Sequence, residues 1–167
     1  MSASSNDQIP PLERLPPGRP QLELEHFLPY RLSVLSNLVS SAIAGEYSLR
    51  FGLTIPEWRV MAILANEPGL SAAQVADRTA MDKVAVSRAV SRLLDRGHLE
   101  RQIATGDRRR SVLTLSSAGE RIYAEVVPMA LRYEHSLLDV LEEPDREALD
   151  RILMTLLGRV RTFADPR

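Results

Sequence analysis

The fold is decided by the stretch SAAQVADRTAMDKVAVSRAVSRLLDRG, which occupies residues 71–97. Ser71 is a good helix N-cap with a glutamine three residues later, and Asp82 precedes a second periodic segment. Gly97 suits the position just after a helix end. We therefore predict two short helices joined by a turn at residues 80–81. The stripe predicted to be buried on the second helix consists of Val86, Ala89, Val90, Leu93 and Leu94.

The second helix has one apolar side and one polar, partly basic side. Its polar residues lie away from the apolar stripe and are Lys83, Ser87, Arg88, Ser91 and Arg92. In a helix-turn-helix the second helix enters the major groove of DNA and needs both kinds of side. Ser87 and Arg88 suit hydrogen bonds to bases or phosphates. An ordinary amphipathic surface helix would show the same division, so this alternative stays open.

A β-hairpin is predicted directly after the two helices. Residues 98–103 and 110–115 alternate like strands, and a Thr-Gly-Asp turn lies between them. Folding explains the three consecutive arginines at 108–110 poorly, because like charges repel. The narrow, strongly negative minor groove would attract such a tip, and Asp107 can hold the Arg109 guanidinium in one pose. The alternative is a merely soluble turn.

Two helices are predicted before this motif. Pro29 suits the first turn of a long helix that ends near Gly52. Pro56 opens a second helix, and the Pro-Gly pair at 68–69 ends it. The apolar residues of the long helix recur at helical spacing and are Leu32, Leu35, Leu38, Val39, Ala42 and Ile43.

Two more helices are predicted after the hairpin. The segment Ser-Ala-Gly-Glu at 117–120 is interpreted as a capping box that opens a helix to about Leu141. Pro144 lies in the first turn of the last helix, which carries a broad apolar stripe from Leu149 to Val160. Long apolar stripes ordinarily meet a partner, so we predict an obligate homodimer.

The distribution of charge is more informative than the net charge of −1. Residues 78–110 hold nine Lys and Arg against four Asp and Glu, whereas the rest of the chain is acidic. A basic segment inside an acidic molecule is typical of a local phosphate-binding face. A solvated charged surface would have the same composition.

Composition sets further limits on the protein. The chain has no cysteine, which excludes disulfides and thiolate metal sites and fits a cytoplasmic location. No apolar run is long enough to span a membrane, and no cofactor or metal is expected. Residues 1–21 hold five of the 11 prolines and are predicted to form a disordered or extended arm. Residues 22–55 and 117–163 are assigned to a helical dimerisation region, and residues 56–116 to the lobe with the hairpin.

Residues 71–119 resemble the MarR family of winged-helix regulators. Trp58 and the two long terminal helices extend the similarity to roughly residues 28–163. The family implies a mainly α fold with a small β-hairpin wing: a winged helix-turn-helix on a helical dimerisation scaffold. One departure is Ala85, where relatives often carry a hydroxyl residue. The matching residues are the segment 82–97 quoted above, the wing Asp107-Arg-Arg109 and the strand exit Leu113-Thr-Leu-Ser-Ser-Ala-Gly119.

The resemblance implies a sequence-specific transcriptional regulator that binds double-stranded DNA. It implies a homodimer built by the first, fifth and last helices, a palindromic operator and repression. It also implies contacts from the recognition helix and from a minor-groove arginine at position 109. Together with the residue patterns, it gives the candidate DNA-binding residues Ser71, Lys83, Ser87, Arg88, Ser91, Asp107, Arg108, Arg109 and Arg110.

Family members often bind small molecules, commonly aromatic acids or their thioesters, between the dimer helices and the DNA-binding lobe. The residues that combine aromatic and cationic groups where such a pocket would lie are Tyr30, Arg31, Trp58 and Arg59. Alternatively, Trp58 belongs to the core and the arginines form salt bridges between helices.

The sequence gives less support to two other classes of function. Catalysis is disfavoured because His26, His98 and His135 fall in different elements without metal-ligand spacing, and no phosphate loop or nucleophile motif is present. A winged-helix module that binds only protein, without ligand gating, is the alternative function. The arginines at the hairpin tip argue against it, because a protein contact does not need that charge.

Overall fold

The computed structural model describes residues 21–103 and 111–164. It confirms a mainly helical fold with one two-stranded hairpin. The predicted N-terminal arm falls outside the described residues except for its last position. In chain order the elements are α1 (Leu28–Phe51), α2 (Ile55–Asn66), α3 (Ala72–Thr79), α4 (Lys83–Asp95), β1 (Leu99–Ile103), β2 (Ser111–Leu115), α5 (Ser117–Leu138) and α6 (Glu143–Ala164).

Helix α2 begins at a capping box that the sequence analysis missed. Thr54 is the N-cap, and its hydroxyl accepts a hydrogen bond from the Glu57 backbone N–H at 3.4 Å. The Glu57 carboxylate accepts one from the Thr54 N–H at 2.8 Å. This reciprocal pair explains why Glu57 is only 2% exposed. Pro56 lies in the first turn, where its missing N–H has no consequence.

The caps predicted for the two central helices are confirmed. Ser71 and Gln74 form the capping box of α3. The Asp82 carboxylate accepts hydrogen bonds from the N–H groups of Val84 and Ala85 at 2.9 and 3.1 Å. The turn between the helices passes through Ala80, whose φ of 51° lies in the left-handed region.

The hairpin is antiparallel and pairs Leu99 with Leu115. Leu113 also forms an isolated β-bridge with Leu70. The Leu113 N–H donates to the Leu70 carbonyl, and the Gly69 N–H donates to the Leu113 carbonyl, both at 2.9 Å. The sequence analysis missed this third chain segment, which ties the start of α3 to the wing. The residues at the hairpin tip lie outside the described part of the chain.

The main core lies beneath α2, α3, α4 and the hairpin. Its side chains are at most 9% exposed to solvent, and their packing fixes the orientation of α4 against the other two helices. One buried side chain each comes from α1 and α5. The largest members of this core are Tyr47, Leu53, Met61, Leu64, Leu93 and Leu113.

The junction between the hairpin and α5 differs from the prediction. Ser116, not Ser117, is the N-cap of α5, and its hydroxyl accepts a hydrogen bond from the Gly119 N–H at 3.0 Å. The same hydroxyl donates to the Gly97 carbonyl at 2.6 Å. The predicted capping box between Ser117 and Glu120 is therefore wrong, because the helix starts one residue earlier and places Gly119 where that glutamate was expected.

We expect Gly119→Ala to destabilise the protein. A Cβ built on Gly119 would overlap the carbonyl oxygen of His98, which is backbone and cannot swing aside. Overpacking of this kind lowers the free energy of unfolding by about 1–3 kcal/mol. The matched control is Gly45→Ala inside α1, where nothing lies within 4 Å and alanine favours the helix. Thermal denaturation of both proteins checks the prediction, and equal melting temperatures would contradict the close packing.

The chain divides into two units at residue 37. In the described part of the first unit, a turn at residues 23–27 leads into α1, and Leu32 and Leu35 are exposed. In the second unit, α6 packs only sparsely against the other described elements. Its apolar stripe is exposed in the single chain and includes Leu149, Ile152, Leu153, Leu157, Val160 and Phe163.

Candidate nucleic-acid interface

Helix α4 has a buried side and a charged side. Val86, Ala89, Val90 and Leu93 are buried in the core. The opposite side chains are exposed to solvent, and these are Lys83, Ser87, Arg88, Ser91 and Arg92. The α4 backbone is therefore fixed by packing while its polar side chains stay available, which is the arrangement required of a helix that enters the major groove.

An open cavity of about 340 Å³ lies between the start of α2 and the exposed side of α4. Arg88 and Arg92 both line it, one helical turn apart on α4. Arg92 was noted among the polar residues of the helix but not among the candidate DNA-binding residues. The signal that could have found it is its spacing of four from Arg88, which puts both guanidinium groups on one side of α4.

Part of the basic segment is used inside the protein. Arg96 donates hydrogen bonds to the backbone carbonyls of Phe51 and Gly52 at the end of α1. Arg78 forms an ion pair with Glu67 at 3.0 Å. The net positive charge of residues 78–110 therefore overstates the charge that is available to a ligand. Among the described residues, the available positive charge is most concentrated on the exposed side of α4.

Ser71 has a structural role in this fold. Its hydroxyl donates to the Gln74 side chain at 3.0 Å and accepts from the Gln74 N–H at 3.3 Å. It is half-buried at the start of α3. A contact from the Ser71 hydroxyl to DNA would compete with these capping hydrogen bonds. In this structure the hydroxyl caps α3.

The predicted wing contacts lie outside the described residues. These are Asp107, Arg108, Arg109 and Arg110, and their roles remain predictions from the sequence. The strands that carry them are described, and Arg101 on β1 is exposed.

The candidate ligand-binding residues fall in different surroundings. Trp58 is half-buried between two tyrosine rings, with centroids 5.8 Å from Tyr47 and 5.6 Å from Tyr123. Arg59 donates a hydrogen bond to the Ser40 hydroxyl at 2.9 Å. Tyr30 and Arg31 are both exposed and belong to the unit that ends at residue 37. The structure thus gives Trp58 and Arg59 partners within the fold.

The sequence analysis did not predict the burial of two polar groups, the Tyr47 hydroxyl and the ring nitrogens of His98. Burial raises the pKa of the Tyr47 hydroxyl to about 12, although the nearby Arg59 charge opposes this shift. Burial and the Arg96 charge lower the pKa of His98, whereas Glu57 raises it. Both His98 ring nitrogens are buried without a hydrogen-bond partner among the described residues. Neither group is part of the exposed side of α4.

The described ranges contain no group of three His, Asp or Glu side chains that could hold a metal ion. Within these same ranges, no helix is long and apolar enough to cross a lipid bilayer.

Comparison with known proteins agrees with this geometry. A model of the MarR family matches residues 51–110. Transcriptional regulator HosA from Escherichia coli O157:H7 is 24% identical over 106 residues, which cover 64% of this chain and 78% of HosA. HosA and the similar regulators are named as transcriptional regulators, not as enzymes.

Solved structures extend the similarity to most of the chain. A MarR/EmrR family regulator from Acinetobacter sp. ADP1 matches with a TM-score of 0.77 and 25% identity, covering 84% of this chain and 99% of that one. The repressor CouR, bound to a 23-mer DNA duplex, matches with a TM-score of 0.69 and 25% identity over 81% of this chain and 95% of its own. PcaV from Streptomyces coelicolor, in complex with its natural ligand, matches with a TM-score of 0.66 and 26% identity. The match covers 88% of this chain and 100% of PcaV. The chain is therefore similar to the MarR family of winged helix-turn-helix transcriptional regulators, through the family model over residues 51–110 and through the fold over most of its length.

Proposed function

We propose that this regulator is a repressor that binds a palindromic operator as a homodimer. The observation that carries the proposal is the exposed side of α4, where Lys83, Ser87 and Arg88 stand on a helix whose other side is core. A rigid helix with exposed hydrogen-bonding groups can distinguish base pairs in the major groove. The wing, with Asp107, Arg108, Arg109 and Arg110, would contact the adjacent minor groove.

The repressor role and the dimer rest on further support. CouR, a similar structure, is named as a repressor and is bound to duplex DNA. In this chain, α6 and the first part of α1 expose apolar stripes that a second copy would cover. We assign residues 22–55 and 117–163 to this dimerisation region and residues 56–116 to the DNA-binding lobe. A twofold dimer presents two copies of α4, so its operator would be an inverted repeat.

The experiment that tests this function is selection of bound duplexes from a random pool. We expect the selected sequences to contain an inverted repeat with half-site centres about 34–36 Å apart along the DNA. Binding that does not depend on sequence would contradict the proposal and favour the alternative, a winged-helix module that binds protein.

The repressor is further proposed to release DNA when it binds a small aromatic acid or its acyl thioester. PcaV, a similar structure, is in complex with its natural ligand, which supports a small-molecule partner in this family. In this chain, the half-buried rings of Trp58 and Tyr123 offer aromatic surface, and Arg59 adds a cation near the buried Tyr47 that packs against Trp58. Tyr30 and Arg31 remain candidate ligand-binding residues from the sequence.

We expect such a compound to weaken operator binding by about 1–3 kcal/mol, a typical coupling between two sites. The effect requires tighter binding to the state that does not fit DNA, and operator DNA must weaken the ligand equally. Trp58 is the only tryptophan in the chain, so its fluorescence reports binding directly. A panel of aromatic acids and thioesters is scored by fluorescence and by operator release, with the matching aromatic alcohols as controls. Compounds that bind without changing operator affinity would contradict this form of gating.

A further inference from the structure

The exposed side of α4 contains one apolar residue. Val84 is 54% exposed, and it is the only exposed one among the large hydrophobic side chains whose burial is described between residues 53 and 115. The other Val, Leu, Ile, Met and Trp side chains that the structure describes in this lobe are buried or half-buried. Folding therefore does not account for a valine at this position, since it buries little surface and a β-branched residue is a weaker helix former than alanine.

A single exposed apolar residue is ordinary on a protein surface, so exposure alone does not indicate a function for Val84. Its position on α4 does. Val84, Ser87, Arg88 and Ser91 are spaced at i, i+3, i+4 and i+7 along α4. Residues at this spacing share one face of a helix, and all four are exposed. Val84 is thus the first residue of the same stripe that carries the candidate base-contacting groups.

The first turn of α4 exposes one cationic and one apolar side chain, Lys83 and Val84. The Asp82 carboxylate already accepts hydrogen bonds from the N–H groups of Val84 and Ala85. Beyond the cap, the side chains at this end are those of Lys83, Val84 and the half-buried Ala85. The first residues of a recognition helix are the ones that usually reach base edges. An apolar group in that place fits the one apolar group of the major groove, the C5-methyl of thymine.

We propose that Val84 contacts a thymine methyl group in each operator half-site and thereby sets part of the sequence preference. This inference rests on the proposed function, because it needs α4 to lie in the major groove. It differs from the roles of Ser87 and Arg88, which use hydrogen bonds. Val84 selects by apolar contact, and so it distinguishes thymine from uracil, which differ by that methyl group alone.

The test replaces each thymine of the selected duplex by deoxyuridine, one at a time, and measures binding by the wild-type protein and by Val84→Ala. Contact with one methyl group is expected to change affinity by about fourfold, which corresponds to about 0.8 kcal/mol for a buried carbon group. We expect one thymine per half-site at which deoxyuridine weakens the wild type by this amount and leaves Val84→Ala unaffected. The matched control is Asn66→Ala, which changes an exposed residue at the end of α2, outside the candidate DNA-binding residues and the region assigned to dimerisation, and should keep the wild-type response.

The outcomes separate this inference from the proposed function. A selected duplex that binds tightly, but shows no thymine coupled to Val84, would overturn the inference and leave the proposed function standing. A Val84→Ala protein that responds to every deoxyuridine as the wild type does would overturn it equally. A pool without any preferred sequence would contradict both the function and the methyl contact.

Discussion

Replacing Arg88 by alanine is expected to weaken operator binding by about 1–3 kcal/mol for each protomer, the value of a good bidentate contact with a base. A homodimer loses the contact twice, so the operator affinity should fall by more than about 30-fold. Arg88 is exposed on α4, and its truncation removes little packing. The free energy of unfolding should therefore change by no more than about 0.5 kcal/mol.

The measurement compares binding to the selected operator and to a scrambled duplex at one salt concentration. Arg88→Ala should lose most of the preference between the two duplexes, because a base contact carries sequence information. The matched control is Arg78→Ala, which removes an exposed arginine of α3 that is paired with Glu67 and is not a candidate DNA-binding residue, and it should keep the wild-type preference between the two duplexes. Wild-type preference in Arg88→Ala would exclude a base contact from this residue.

Arg109→Ala is expected to weaken binding in the same assay by a different route. An arginine in the minor groove responds to the width and negative potential of the groove more than to individual base edges. Its loss should therefore reduce affinity for both duplexes and depend on A·T content beside the half-sites. Equal effects of Arg88→Ala and Arg109→Ala on sequence preference would contradict this division of roles.

The helices and their order could be predicted because local signals agree with the tertiary contacts. The Ser71 and Asp82 caps and the apolar stripe of α4 are decided within a few residues of the chain. The prediction was wrong at α5 because two serines stand side by side. Ser116 caps that helix since its hydroxyl also reaches the Gly97 carbonyl, 19 residues earlier. A contact between residues so far apart in the sequence cannot be predicted from the residues around Ser116.

The candidate site could be predicted only in part, for the same reason. The exposed side of α4 follows from helical periodicity, so Lys83 and Arg88 could be placed on it from the sequence. The internal uses of Arg78 and Arg96 could not, because Glu67 and the end of α1 are brought to them only by the fold. Likewise, Trp58 was predicted either as a ligand-binding residue or as core, and the two flanking tyrosines explain its packing.

The second large effect is expected from Leu157→Asp. Leu157 is 52% exposed on α6 in the single chain and belongs to a stripe of similar residues along that helix. In the proposed homodimer a second copy covers this stripe. An aspartate there would place a charge in an apolar interface, which costs several kcal/mol when no partner compensates it. We expect sedimentation at low micromolar concentration to show a dimer of twice 18.6 kDa for the wild type and a dissociated chain for the variant.

Loss of the dimer should also abolish tight binding to the operator. The two copies of α4 in a dimer bind one inverted repeat as a unit. Two separate chains would each lose translational and rotational entropy on binding. Leu157→Asp should therefore lose tight operator binding even though α4 itself is unchanged. The matched control is Asn66→Asp, which adds the same charge at an exposed residue of α2 outside the region assigned to dimerisation. If Leu157→Asp sediments as the wild-type dimer and binds the operator normally, α6 does not form the interface. If the wild type itself sediments as a monomer, the palindromic operator loses its physical basis, because a single α4 reads only one half-site.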